Sequence, residues 1–358
     1  MTNAVQDIRS KDAVRPAVET LYTICPVLTA ANVAVEFGWL DEEFQRAGAK
    51  AIYLRSLENN AGWIPHYTHA KPNLFRDGGA IPTIQARADL TKTRLIGLTW
   101  GQQGGQILVK ANSGIRRVAD LKGLRIGLFR SLNTNKIDFV RATAQRGILL
   151  SLELAGLSDK DVQILDIEDA DSPEYRVASK PSELWAQGRE KRNNVRHEAD
   201  LRALAEGRVD AVFSQVGRST GLVKTGEYTV IEDLTRYPDW TLQVSNGPYT
   251  IAVNTEFAEK NPEVIVAYLR AAIRAGRWIN QHPAAAAEIF TRVTFNPHAE
   301  LIAQQLARFD LVPNLSAKNL AAIDIQKKFL LDHKYIKNDF SVHDWADSSY
   351  LEKALQSL

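Results

Sequence analysis

Short β-type runs alternating with helical stretches constrain this chain more than any other feature. The runs are Ala51 to Leu54, Arg94 to Trp100, Gln106 to Lys110, Arg125 to Phe129, Val162 to Ile167, Ala211 to Ser214, Thr229 to Glu232 and Tyr249 to Asn254. The stretches between them are long enough for helical crossovers, which predicts parallel or mixed sheets with helices on both faces. At 358 residues the chain exceeds one hydrophobic core, so two lobes are expected. Ser113 to Leu124 reads as a connection into a new strand, and Ser245-Asn246-Gly247-Pro248 precedes a returning one. The expected division is a discontinuous first lobe, residues 1–112 plus 246–358, and an inserted second lobe, residues 113–245. A ligand cleft should lie between them, outside the carboxyl ends of the strands. Asn261-Pro262-Glu263 is a helix start. The charged stretch Ser179 to Asp200 reads as a solvated helix face or a mobile insertion.

Composition removes several classes of function. A net charge of +2, without a basic stripe interleaved with aromatics, argues against a nucleic-acid partner. No run approaches the roughly 18 apolar residues of a membrane span, so no membrane insertion is expected. One cysteine excludes an intramolecular disulfide. The first twelve residues, Met1 to Asp12, lack the apolar core of a secretory signal, and a cytoplasmic location is the expectation. Nucleotide-binding glycine loops, the hydrolase serine elbow and zinc spacings are missing. His66 and His69 stand three apart, but no acid or cysteine completes a metal site. Neither cofactor nor metal is expected.

Two places can carry chemistry. Cys25 precedes Pro26, and proline favours the first position of a helix. This predicts Cys25 at or next to a helix N-cap, where the dipole favours a thiolate and draws anions. Its bland reading is a small buried hydrophobe. The second place is the stretch Trp63 to Pro82, dense in glycine, proline, aromatics and cations, which reads as loop. There Arg76 can clamp a sulfinate, sulfonate or carboxylate with two parallel bonds. Gly78 and Gly79 let backbone amides approach an oxyanion. His66 can orient or deprotonate Cys25, or hydrogen-bond the substrate. Taken singly, each has a plainer role: a surface salt bridge, a turn, a satisfied loop histidine. Trp63, Tyr67, Phe75, Trp100 and Phe129 are candidates for an aromatic wall, or for ordinary core packing.

These residues form a pattern. Cys25-Pro26-Val27, Phe37-Gly38-Trp39-Leu40-Asp41, His66-Tyr67-Thr68 and Arg76-Asp77-Gly78-Gly79-Ala80-Ile81-Pro82 stand in that order. Thr93 to Thr99, Ala119 to Gly127 and Ala275 to Trp278 continue the pattern. Together they resemble the 2'-hydroxybiphenyl-2-sulfinate desulfinases of dibenzothiophene desulfurisation, within a superfamily that includes sulfonate- and taurine-binding proteins. The resemblance is sparse between Ser131 and Val244, which includes Asn133-Thr134-Asn135-Lys136. It implies a two-lobed periplasmic-binding-protein type II fold with a central cleft. It implies a catalytic set of Cys25, His66 and Arg76, with a glycine amide role at Gly79. Gly78, Trp63, Tyr67 and Trp100 are the further substrate-binding candidates.

The implied function is a cofactor-independent carbon–sulfur lyase or hydrolase, acting as a monomer on a small organic anion and releasing sulfite from an aromatic or related sulfinate. Cys25 then serves either as nucleophile toward sulfur or as proton donor to carbon. The alternative is a non-catalytic solute-binding protein for an organosulfur or carboxylate anion, feeding a transporter, in which Cys25 is incidental.

Overall fold

The computed structural model describes residues 17–100, 104–170, 177–193 and 199–358. Met1 to Asp12 therefore lie outside the described residues. Among the described residues, ten strands form two five-stranded sheets. The first has the order β2-β1-β3-β10-β4, from β1 (Val18–Ile24), β2 (Ala49–Tyr53), β3 (Leu74–Gly78), β4 (Thr93–Thr99) and β10 (Tyr249–Asn254). β1 runs parallel to β2 and β3, and β10 is antiparallel to β3 and β4. The second has the order β7-β6-β8-β5-β9, from β5 (Gly105–Lys110), β6 (Arg125–Ser131), β7 (Gln163–Asp169), β8 (Ala211–Gln215) and β9 (Tyr228–Asp233). Helices cover both, as the alternating pattern predicts.

Two strands go beyond the sequence reading. β1 precedes all the expected runs, and β3 falls inside the stretch expected to be loop. Leu-Phe-Arg-Asp-Gly does not look like a strand, because a buried strand normally excludes charge. Yet every residue of β3 is buried, Arg76 and Asp77 included. Around it, Pro65–Thr68 forms one helical turn and Ala80–Gln85 a short helix, so the loop assignment is corrected.

The chain passes between the sheets twice, between Thr99 and Gly105 and again between Asp233 and Tyr249. The first crossing comes earlier than residue 112, because β5 pairs with β8 and β9. We propose that the lobes follow the sheets. Two segments of the second half reach back onto the first. Ile137 and Ala142 join an apolar cluster with Ile81, Leu95, Phe329 and Leu330. Arg146, in the same helix Phe139–Leu154, donates from Nε to Val244 O of the returning crossover at 2.6 Å and lies over the Phe329 ring at 5.5 Å. The helix Pro181–Asn193 sets Leu184 and Trp185 into the first-sheet core, with Trp185 edge-on to Phe295 at 5.5 Å. The helix of the solvated-face reading of Ser179 to Asp200 is present, but one side of it is docked rather than mobile, and residues 194–198 lie outside the described set. Leu184 and Trp185, with Arg189 donating to Thr294 O at 3.0 Å, dock this charge-rich helix.

Candidate active site

The geometry of β1 builds the centre of the site. Successive side chains of a strand point to opposite faces, so residues two apart share one. Thr23 and Cys25 thus project together, some 7 Å apart along the strand, and a single imidazole bridges them. His66 Nδ1 lies 2.7 Å from Thr23 Oγ1, and Nε2 lies 3.6 Å from Cys25 Sγ. The register of β3 pairs Thr23 with Arg76, which places the guanidinium on the same face. Arg76 donates from Nε to His66 O at 2.8 Å and from Nη1 to Gly79 O at 2.9 Å and Thr83 Oγ1 at 2.5 Å. Its Nη2 points to Cys25 Sγ at 3.7 Å.

This is a buried cation among neutral acceptors. Arg76 is 1% exposed, and its hydrogen-bond partners are two carbonyls, a hydroxyl and a thiol. Burying a charge without a counter-ion is costly, so the site favours an anion at or beside Cys25. The same surroundings hold His66 neutral. Burial pushes its pKa well below the ordinary value, and the positive charges of Arg76 and Arg55 push it the same way. Tyr53 and Tyr249, buried near Cys25, have their hydroxyls pushed up, mainly by burial.

Two glycines are fixed by close approach. Gly78 has φ 150°, and a Cβ there would lie 2.2 Å from Cys25 Sγ. The thiol occupies the space a side chain would take. A Cβ on Gly79 would meet the Asn246 side-chain amide at 2.7 Å. Asn246, from the returning crossover, accepts from Ala80 N through its carbonyl at 3.1 Å and from Ile81 N through Oδ1 at 3.0 Å. The second crossover therefore braces the turn that follows Arg76.

The helix-cap reading of Cys25 is corrected. Pro26, Val27 and Leu28 form a bend, and the helix starts at Ala30 with Thr29 as its N-cap. The buried Asn32 amide donates to Cys25 O at 3.1 Å and Val27 O at 2.9 Å, holding the chain in that bend. The positive group beside the thiol is the Arg76 guanidinium, not a helix N-terminus.

Four of the five aromatic candidates separate into three groups, and Phe129 lies on β6 opposite Ile167 of β7. Tyr67 is edge-on to His66 at 4.9 Å and to Trp63 at 5.2 Å, and stacks at 6.1 Å on Phe139 of the second half. Trp63 carries the Arg55 guanidinium at 4.4 Å. Trp100, by contrast, packs on Trp240 at 5.8 Å and under Lys318 at 4.5 Å. It follows β4, three strands from β1, and these contacts do not bring it to Cys25. Phe75 stacks on Tyr268 at 4.5 Å behind the sheet, as core. His69 lies 2.9 Å from Leu74 O through Nε2, and burial pulls its pKa down to about 3. Asp77 occupies the opposite face of β3, where burial raises its pKa to about 7 against the pull of Arg76, Thr29 and Tyr268.

Three polar residues at the site escaped the sequence reading: Thr23, Thr83 and Asn246. Thr23 alone left a signal, its two-residue spacing from Cys25.

No known protein-family profile matches the chain. Its likeness to individual proteins is extensive. It is 27% identical over 364 residues to the 2'-hydroxybiphenyl-2-sulfinate desulfinase of Rhodococcus erythropolis, covering 93% of each chain. The crystal structure of a cysteine-to-serine mutant of the desulfurization enzyme DSZB with biphenyl-2-sulfinic acid superposes with a TM-score of 0.72. That match covers 95% of this chain and 99% of the other, at 22% identity. The periplasmic sulfonate-binding protein SsuA from Methylobacillus flagellatus gives a TM-score of 0.69 at 17% identity, over 96% and 95% of the two chains. The fold is that of the periplasmic binding proteins. The desulfinase likeness seen in the sequence spans nearly the whole chain.

Proposed function

We propose that this protein is a desulfinase that cleaves the carbon–sulfur bond of an aromatic or related organic sulfinate and releases sulfite. One observation carries the reading: the Cys25 thiol stands 3.6 Å from His66 Nε2 and 3.7 Å from Arg76 Nη2, inside a fold shared with a sulfinate-bound desulfurization enzyme. In this reading Arg76 holds the sulfinate, His66 orients it, and the chain from Gly78 to Ala80 shapes the floor.

Two balanced routes use these groups and water alone. In one, Cys25 sulfur bonds to the substrate sulfur while the aryl carbon leaves with the thiol proton. Water then splits the S-sulfinate, giving hydrogen sulfite and restoring the thiol. In the other, the thiol proton goes to the ring carbon and the carbon–sulfur electron pair becomes the new C–H bond. Sulfur dioxide leaves, water adds to give hydrogen sulfite, and the released proton returns to Cys25. The site favours the second route. A thiolate–imidazolium pair would charge His66, which burial and two arginines oppose. A neutral thiol that gives its proton to carbon leaves a thiolate facing Arg76, a charge the guanidinium stabilises.

The second reading, a solute-binding protein, draws on the sulfonate-binding fold. It gives no role to Thr23, His66 and Cys25 standing in line. We place the enzyme in the cytoplasm as a monomer, since a reduced compartment preserves a free thiol and one chain supplies all three groups. The test is incubation with 2'-hydroxybiphenyl-2-sulfinate and benzenesulfinate, with sulfite and arene both quantified. Equimolar release supports the desulfinase; tight binding without release supports the binding protein.

A further inference from the structure

The second crossover, between Asp233 and Tyr249, does more than join the sheets. The second half holds it at one point, and two residues later it grips the candidate site. Arg146, on the helix Phe139–Leu154, donates from Nε to Val244 O at 2.6 Å and from Nη2 to Thr241 O at 3.5 Å. The residue before it fixes the helix at this height. Gln145 Oε1 accepts from Tyr335 Oη at 2.7 Å, and the Gln145 amide nitrogen lies 3.2 Å from His333 Nδ1. Val244 and Ser245 are buried. Asn246 follows, and it takes two amides of the turn after Arg76: Ala80 N donates to its carbonyl at 3.1 Å and Ile81 N to Oδ1 at 3.0 Å. These amides open the helix Ala80–Gln85 and have no acceptor within it. Gly79 lies against the same side chain, and its carbonyl accepts from Arg76 Nη1 at 2.9 Å.

These contacts form one line from the second half to the group that holds the sulfinate: Arg146, the Val244 carbonyl, Asn246, the turn from Gly79 to Ile81, and Arg76. Each joint is short and stiff. The peptide is planar and consecutive Cα atoms stand 3.8 Å apart, so a shift of the Val244 carbonyl carries Asn246 with it. Close packing around the buried Val244 and Ser245 leaves little room to absorb the shift. One guanidinium serves two carbonyls of the same segment, and a charged donor makes a stronger hydrogen bond than a neutral one.

We propose that Arg146 is a positioning residue for the reaction: through Val244 and Asn246 it holds the turn whose Gly79 carbonyl orients Arg76 beside Cys25. This rests on the desulfinase reading and extends it to a residue outside the site. The test is a double-mutant cycle of Arg146→Met and Asn246→Ala, with Arg146→Lys as the conservative variant, followed in two ways. The first is kcat/KM for sulfite release from benzenesulfinate. Each single change should lower it about tenfold, and Arg146→Lys should recover part of the loss. The double mutant should be no worse than the poorer single by more than about twofold. Losses that multiply, as they do for independent sites, overturn the proposal. The second is hydrogen exchange of the Ala80 and Ile81 amides, which needs no substrate. Arg146→Met should speed it about tenfold, while the amides pairing β1 with β2 keep their wild-type rates. Unchanged exchange at Ala80 and Ile81 overturns the proposal even if turnover falls. If the methionine variant does not fold, Arg146→Lys carries both measurements, with smaller losses in the same pattern. If the wild type releases no sulfite, the desulfinase reading fails, and the exchange rates decide Arg146 separately.

Discussion

The two sides of the cleft are built differently. On the first-lobe side, reactive groups leave strand ends and hold one another. Thr23 of β1 and Cys25 just after its end project together, His66 spans them, and Arg76 from the next strand ties down His66, Gly79 and Thr83. On the second-lobe side the groups come from one connection, residues 132–138, and the start of the helix after it. Sheet register and the hydrogen bonds of Arg76 hold the first set in place, as bond-making chemistry requires. A loop pinned by one aspartate can exchange its side chains without disturbing the sheet. The difference teaches where to expect each kind of change: first-lobe substitutions should act on turnover, those in residues 132–138 on which substrate is accepted.

Arg76→Lys should break the first side most severely. Lysine keeps the charge but cannot serve two carbonyls, a hydroxyl and the thiol together. Charged hydrogen bonds contribute roughly 1.5–3 kcal/mol each, so two lost should lower kcat/KM at least about a hundredfold. The check is steady-state kinetics on protein shown folded by circular dichroism. A change under about threefold would place Arg76 outside the chemistry.

The other face of β3 supplies a control. Asp77 has a folded pKa of about 7, above its usual 3.8, so the folded state binds that proton more tightly than the unfolded chain. Stability from this group is complete below pH 3.8 and is lost as pH rises through about 7. Across that range the wild type should lose on the order of 4 kcal/mol relative to Asp77→Asn, at about 1.4 kcal/mol per unit. Urea unfolding of both proteins at several pH values reads this directly. Parallel curves would show that Asp77 ionises freely.

Thr23→Val should have the smallest effect. Valine keeps the shape and removes the hydroxyl that holds His66 Nδ1. One neutral hydrogen bond contributes about 1 kcal/mol, so kcat should fall roughly tenfold or less, with KM little changed. Thr23→Ser should restore it. The imidazole nitrogen NMR shifts of His66 should change in Thr23→Val and return in Thr23→Ser. Unchanged shifts in Thr23→Val would deny Thr23 its orienting role.

The sequence carried the α/β alternation plainly, because most buried strands are apolar runs. It hid β3, since charge inside a strand reads as loop until Thr83, Gly79 O and His66 O are seen surrounding Arg76. It placed Cys25 on a helix N-terminus, since the Cys-Pro pair carries that signal and the Asn32 side chain that overrides it acts seven residues away. Cys25, His66 and Arg76 were legible as a set through resemblance, and their convergence required the register of β1 against β3.

The central claim is that Cys25, set between His66 and Arg76, breaks the carbon–sulfur bond. The most direct measurement follows sulfite and arene release from 2'-hydroxybiphenyl-2-sulfinate by the wild type and Cys25→Ser, with binding of the same compound titrated to the mutant. The account predicts equimolar products from the wild type, none above background from Cys25→Ser, and retained binding, because the swap removes the thiol and little volume. Sulfite release by Cys25→Ser at the wild-type rate would contradict it.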